Sequence, residues 1–231
     1  MAGYLPNRFL GARTHMKSKP LTDQRSSISS DEFIWSSTDS TDVHGLVLPS
    51  LLERLRRAGS RAVLDLGCGN GSLSARIADN GFVVTGLEHS SSGIAMASQA
   101  FPKVIFQQYD IGTPLPEAHH AAYDAVVSVE VIEHLLLPRR LMDAAMLALK
   151  PGGIFYLTTP YHGYLKNLAL ALTNKFDDHW HPLRDYGHVK FFSRRTLVQL
   201  FEEFNLQDLE IRHLGRIAPF ACSIAISGIK K

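Results

Sequence analysis

Ala62-Val63-Leu64-Asp65-Leu66-Gly67-Cys68-Gly69-Asn70-Gly71 is an apolar run that ends in a carboxylate and then in Gly-x-Gly-x-Gly. A helical stretch, about Ser72 to Asp79, comes next. A second apolar run, Phe82 to Leu87, then closes on Glu88. The order strand, glycine turn, helix, strand is half of a nucleotide-binding α/β sheet. Glycines let the backbone turn sharply and approach a ligand closely. Glu88, at the tip of the second strand, is placed to accept hydrogen bonds from a ribose diol. The unit points to a ligand containing adenosine.

The spacing narrows the ligand. A dinucleotide fingerprint reads Gly-x-Gly-x-x-Gly and sets a pyrophosphate at the helix N-terminus. Here the glycines stand at 67, 69 and 71, and Asp65 precedes them by two residues. A carboxylate at the strand tip repels a pyrophosphate and suits a cationic or zwitterionic amino-acid group. No Gly-x-x-x-x-Gly-Lys-Ser/Thr loop is present, which argues against a P-loop.

Outward from this unit, strands and helices alternate. Asn80-Gly81 ends the first helix with residue types suited to left-handed geometry. Ser90 to Ser92 can cap a helix that ends before Pro102, and Val104 to Tyr109 forms a third strand leading into Asp110. A polar loop, Gly112 to His120, precedes a fourth strand, Asp124 to Val129. Leu141 to Leu149 reads as a helix, Pro151-Gly152-Gly153 as a turn, and Ile154 to Thr158 as a fifth strand. The strands are nearly continuous apolar runs, as in a parallel sheet covered on both faces. Tyr161 to Tyr186 breaks the alternation and is too long for a simple connection, so a lid or small helices are expected there. Ser193 caps a helix carrying Leu197, Leu200, Phe201 and Phe204. Leu209 to Ile217 and Ala221 to Ile229 are strand-like runs around Pro219.

Before the sheet, Leu48, Leu51, Leu52 and Leu55 recur at helical spacing and Gly59 follows as a stop. This predicts an N-terminal helical cap over 31–60. Residues 1–30, with Arg8, Arg13, Lys17, Lys19 and Arg25 against Asp23 alone, read as a mobile basic tail without the apolar core of a secretory signal. The domain proper is 61–231, with a lid-like insertion at about 161–187. The formal charge of +2 over 231 residues is too small to argue for nucleic acid. Cys68 and Cys222 are the only cysteines, which suggests neither a disulfide framework nor a cysteine zinc site, and a reducing cytoplasm is expected. No apolar stretch is long enough to span a bilayer.

With Asp65 to Gly71, Glu88, Asp110, Tyr123-Asp124-Ala125-Val126-Val127 and Leu149-Lys150-Pro151-Gly152-Gly153 in this order, the chain from about Asp31 to Lys231 resembles the class I S-adenosylmethionine (SAM)-dependent methyltransferases. The resemblance implies a Rossmann-like α/β fold: a seven-stranded, mostly parallel sheet with helices on both faces and a terminal antiparallel hairpin. It implies SAM as cofactor, with S-adenosylhomocysteine (SAH) as product. Asp65, Gly67, Cys68, Gly69 and Gly71 would hold the methionine end and Glu88 the ribose. Asp110 would meet the adenine amino group, with His89, Ile111 and Glu130 completing the cofactor site.

Glu130-Val131-Ile132-Glu133-His134 resembles the Glu-x-x-Glu-His of the ubiquinone-biosynthesis O-methyltransferases. On a helix, Glu130 and Glu133 would share a face. Some relatives hold a divalent metal with this cluster, which makes Glu130, Glu133 and His134 candidate ligands; turnover without metal is the expectation here. In Gly187-His188-Val189-Lys190, His188 resembles the substrate-side histidine of many small-molecule methyltransferases. His188 and His134 are thus the candidate catalytic residues, as a general base or an orienter of the acceptor. His162, His179 and His181 share the insertion. Tyr161, Tyr164, Trp180 and Tyr186 would wall a pocket or form the lid's own core.

The expected activity is methylation of a small molecule, at the oxygen of a phenol, quinol or secondary metabolite. The alternatives are methylation of a terminal RNA ribose at the 2′-oxygen, as in relatives of the Hen1 type, and a non-catalytic SAM-binding module. The small charge excess argues against RNA, and the intact set of Asp65, Glu88 and histidines argues against a silent module. The sequence leaves the oligomeric state open.

Overall fold

The computed structural model describes residues 32–180, 183–216 and 220–231. The basic tail expected over 1–30, His181, Ile217 and Pro219 lie outside the described residues, as does the side chain of His179.

β1 (Ala62–Leu66) pairs in parallel with β2 (Val83–Glu88) on one side and β4 (Tyr123–Val129) on the other. β3 (Ile105–Gln108) extends the sheet beyond β2, and β5 (Leu149–Pro160) beyond β4, again in parallel. β7 (Ser223–Ile229) runs antiparallel between β5 and β6 (Gln207–Leu214). The sheet order is β3-β2-β1-β4-β5-β7-β6. The chain thus adopts the seven-stranded, mostly parallel sheet with a terminal antiparallel hairpin that the motifs imply.

Alternate residues of a strand face opposite sides of a sheet. Leu64, Val126, Phe155 and Leu157 therefore pack one way, with α4 (Pro138–Ala148) and α7 (Arg194–Glu203) through Leu141, Met142, Leu197 and Phe201. Val63, Ala125, Val127 and Tyr156 pack the other way, with α1 (Asp42–Arg57) and α2 (Ser72–Asp79) through Leu48, Leu51, Leu55, Leu73 and Ile77. α3 (Ser91–Ala100) starts on a Ser90 cap. α7 starts on a reciprocal capping box between Ser193 and Thr196, which satisfies donors a helix start would leave bare.

Several boundaries depart from the sequence reading for identifiable reasons. β5 runs through Pro151-Gly152-Gly153 because Gly152 N donates to Lys230 O and Lys230 N to Gly153 O, both at 2.8 Å. α4 begins at Pro138, whose missing N–H costs nothing in a first turn. The Arg139 guanidinium makes a two-pronged contact with Glu203 of α7 at 2.6 and 2.8 Å. α1 begins at Asp42 and is bound to the hairpin by polar contacts. Buried Arg54 donates to Ser227 Oγ at 3.1 Å, and Arg212 of β6 forks onto Glu53. The insertion forms α5 (Tyr164–Leu172) and α6 (Phe176–Trp180). None of α5's residues is buried. No helix among the described residues is long and apolar enough to cross a membrane.

Candidate cofactor and acceptor site

The glycine turn joins β1 to α2. Gly67 has φ +81°, and a Cβ there would stand 2.5 Å from Val131 Cγ2, so both the conformation and the close approach exclude a side chain. Gly67 N and Cys68 N both donate to Leu87 O, at 2.8 and 3.1 Å, which ties the turn to the end of β2. Glu88 spans the crevice already oriented: Oε2 accepts from Gly69 N and Oε1 from Ser90 N, both at 2.9 Å. Asp65 is buried beneath the turn, with Oδ2 accepting from Ser74 Oγ of α2 at 2.6 Å. Burial pushes its carboxyl up to about 7, against the Ser74 hydrogen bond and with the Glu88 charge adding to the rise. Cys68 is buried as well, and burial raises its thiol well above the ordinary range.

Asp110 follows β3, exposed, with Oδ1 accepting from Gly112 N at 2.7 Å in a local turn. Tyr109 N donates to Glu88 O at 2.9 Å, which keeps this turn beside Glu88. His89 is exposed, and Ile111 packs against the core. These groups lie at the C-terminal ends of β1, β2 and β3, where open α/β sheets bind ligands.

Residues 32–41 cross this turn. The Trp35 indole rests on Gly69 and Gly93: a Cβ on Gly69 would come 2.5 Å from the ring, and one on Gly93 2.9 Å. Trp35 N donates to Ser92 Oγ at 3.0 Å, and Asn70 Nδ2 donates to Ser37 O and Asp39 O at 2.9 and 3.0 Å. Trp35 thus packs directly on the glycine turn. His44 of α1 shares a hydrogen bond with Ser72 at 3.1 Å, and burial lowers its pKa to about 4, so it is neutral.

The second group forms where β4 and β5 end. Glu130 and Glu133 do not share a helical face. Glu130 follows β4 with φ +55°, in the left-handed region, and only Ile132–His134 form a short 3-10 turn. β5 brings the two acids together instead: Thr158 Oγ1 donates to Glu130 at 2.9 Å and Thr159 Oγ1 to Glu133 Oε2 at 3.0 Å. Burial pushes Glu130 up to about 7. It also raises Glu133 well above the ordinary carboxylate range, and there the Glu130 charge adds to the rise. Glu133 Oε1 is buried with no hydrogen-bond partner among the described residues.

The return of the insertion completes the group. Glu133 O accepts from Val189 N and Lys190 N at 2.8 and 3.0 Å. The carbonyls of Tyr186 and Gly187 lie 2.9 and 3.2 Å from His134 Nδ1, so this nitrogen carries the proton and donates to them. That leaves His134 Nε2 as the acceptor, 4.0 Å from Glu133 Oε1. Burial lowers the His134 pKa, and its hydrogen bonds to the two carbonyls partly offset this. The His188 ring meets His134 edge-on at 4.9 Å. One donor atom each from Glu133, His134 and His188 lies within 4.8 Å of the others. The geometry thus joins His188, rather than Glu130, to Glu133 and His134. Sequence reasoning missed Thr158 and Thr159, whose signal was two hydroxyls at the buried end of an apolar strand.

The remaining aromatic candidates do not converge on one pocket. Trp180 packs with His162, Phe176 and Phe191. Tyr164 is 79% exposed, and Tyr161 packs edge-on against His213. Tyr186 faces Phe33, which in turn meets Trp35.

Residues 43–211 match the family described as a methyltransferase domain. Ubiquinone biosynthesis O-methyltransferase of Idiomarina loihiensis is 28% identical over 158 residues, covering 67% of this chain and 65% of that protein. The chain thus spans just under two thirds of that relative's length. Magnesium protoporphyrin IX methyltransferase from Synechocystis PCC 6803, solved with bound SAH, superposes with a TM-score of 0.61 at 17% identity, over 80% of this chain and 82% of that one. The methyltransferase domain of bacterial CtHen1-CN gives 0.61 at 18% identity, over 81% of this chain and all of that one. At such identities the structures establish a shared fold alone. From the matched family and this fold, the chain belongs to the class I SAM-dependent methyltransferases, with SAM as its cofactor.

Proposed function

We propose that the chain transfers the methyl group of SAM to a hydroxyl oxygen of a small molecule such as a phenol or quinol. The observation that carries this reading is the meeting of Glu133, His134 and His188, the first two just after Val131, which packs on Gly67 of the glycine turn. Methyl transfer is an in-line displacement, so the acceptor must stand behind the methyl carbon with competing water excluded. As the oxygen attacks, the new C–O bond forms and the C–S bond breaks. The sulfonium takes the bonding pair and leaves as the thioether of SAH. The hydroxyl proton needs a base. His134 offers one, because its proton is held on Nδ1 by the two carbonyls and its lone pair lies on Nε2. His188, against its ring, is the second candidate. On the cofactor side, Gly67 to Gly71 would hold the methionine end and Glu88 the ribose, with His89, Asp110 and Ile111 about the adenine. The name of the Idiomarina relative supports oxygen as the methylated atom.

A second reading is favoured by the buried, unpartnered Glu133 Oε1. With His134 Nε2 and His188 nearby, that oxygen fits a hard or borderline divalent cation, such as magnesium, manganese or zinc. The carbonyls on His134 Nδ1 are the outer partners expected of a ligating histidine. Such an ion would lower the pKa of an acceptor hydroxyl. His134→Ala and His188→Ala, assayed with methyl-labelled SAM on phenolic acceptors, separate the readings when run with and without EDTA. If an imidazole is the base, the variant lacking it loses roughly 10²–10⁴-fold in turnover, and EDTA leaves the wild type unchanged. Loss on chelation with metal-specific recovery selects the second reading. Full activity in both variants sinks both.

A further inference from the structure

Beyond the end of β5, a groove of about 460 Å³ is lined by Pro160, Lys166, Leu170, Arg216, Phe220 and Cys222. α5 forms one wall, and the chain ends next to β6 and β7 form the other. Pro160 pairs with Ser223, and Ser223 with Leu214, so the groove opens at the C-terminal edge of the parallel strands, the edge that carries the glycine turn. Pro160 lines the groove, and Thr159, the residue before it in β5, donates to Glu133 of the histidine cluster.

The groove's charge is one-sided. Lys166 and Arg216 both line it, and neither forms an ion pair among the described residues. Lys166 Nζ donates to Tyr161 O at 2.9 Å, a neutral partner that does not pair its charge. Burial lowers the Lys166 pKa, and the Arg216 charge lowers it further; Cys222 and Glu130 act in the opposite sense. Two like charges converging on a half-sheltered groove are relieved by a bound anion. Phe220, half exposed, and Leu170 give the same groove an apolar wall.

We propose that this groove seats an acidic group of the methyl acceptor, so that the substrate is a hydroxylated organic acid. Lys166 and Arg216 hold its carboxylate, its apolar body lies against Phe220 and Leu170, and its hydroxyl reaches the Glu133–His134–His188 cluster. The substrate class rests on the hydroxyl-acceptor reading above; occupation of the groove by a carboxylate does not.

Catechol and 3,4-dihydroxybenzoate differ only in the carboxylate and serve as probes with the full chain. The wild type should favour the acid by about tenfold or more in kcat/KM, through KM. Lys166→Met and Arg216→Met should each erase most of that advantage. Binding of 3,4-dihydroxybenzoate to the SAH-loaded protein, read by calorimetry, should weaken about tenfold in each variant. Equal kcat/KM for the two diols, or an advantage that survives in both variants, overturns the proposal. If neither diol is methylated, the hydroxyl reading fails and the calorimetry still decides the groove. Binding lost in the two variants supports the carboxylate seat; binding indifferent to both, or absent from the wild type, overturns it.

Discussion

Glu133 keeps one carboxylate oxygen on Thr159 and leaves the other buried and unpartnered, 4.0 Å from the free nitrogen of His134. An unsatisfied buried group of this kind costs about 1–3 kcal/mol. Glu133→Gln, which keeps an acceptor for Thr159 and cannot carry the buried charge, should stabilise the cofactor-free protein at pH 8, raising Tm by several degrees at about 2–4 °C per kcal/mol, while turnover collapses. A lower Tm at pH 8 would show that the carboxylate is satisfied in solution. Asp65 gives a second prediction. Its folded pKa, about 7, lies above that of an unfolded aspartate, about 3.9. The folded chain thus keeps a proton that the unfolded chain has released. This stability is fully present below about pH 4 and is lost as pH rises through 7. Glu130, pushed up to about 7, has the same sign. Thermal melts of the cofactor-free protein should show Tm falling between pH 5 and pH 8. Asp65→Asn, which can still accept from Ser74, should flatten part of the slope. An unchanged slope in that variant would remove Asp65 as a cause.

At the scale of elements, the geometry of the glycine-turn half was legible in the sequence and that of the histidine cluster only in fragments. Gly67, Gly69 and Glu88 are local signals: a positive-φ turn and a carboxylate at a strand end announce themselves within one strand–helix–strand unit. The acceptor cluster has no such locality. The spacing of Glu130 and Glu133 suggests a helical face, yet Thr158 and Thr159, on another strand, bring them together. His134 and His188 meet through carbonyls more than fifty residues away in sequence, one of them on Tyr186 with φ +57°. No periodicity encodes such a contact. The seat of Trp35 was hidden for the same reason, since its partners are two glycines in other elements. If residues 32–41 help to hold the cofactor turn in its binding geometry, Trp35→Ala should weaken SAH binding about tenfold with the fold retained. In a Trp180→Phe background, Trp35 is the sole tryptophan, and its emission should respond to SAH. Wild-type affinity together with silent emission would reduce the segment to packing.

Across the whole molecule, one edge of the sheet gathers the chemistry. Asp65, Glu88 and Asp110 lie at or just beyond the ends of β1, β2 and β3, and at the ends of β4 and β5 Thr158 holds Glu130 and Thr159 holds Glu133, the acid that meets the two histidines. The central claim is that these halves form one reaction centre. It is tested most directly by single-turnover transfer from methyl-labelled SAM to 3,4-dihydroxybenzoate, with the labelled position in the product read by NMR. SAH affinity is measured in parallel for wild type, Glu88→Ala and a variant lacking both His134 and His188. The account predicts label on a ring oxygen in the wild type. It predicts SAH binding weakened by roughly tenfold or more in Glu88→Ala, where charge-assisted hydrogen bonds worth about 1.5–3 kcal/mol each are lost. The double-histidine variant should bind SAH normally and transfer no label at the wild-type rate. Oxygen labelling that persists at the wild-type rate without both histidines, or SAH affinity unchanged in Glu88→Ala, would contradict it.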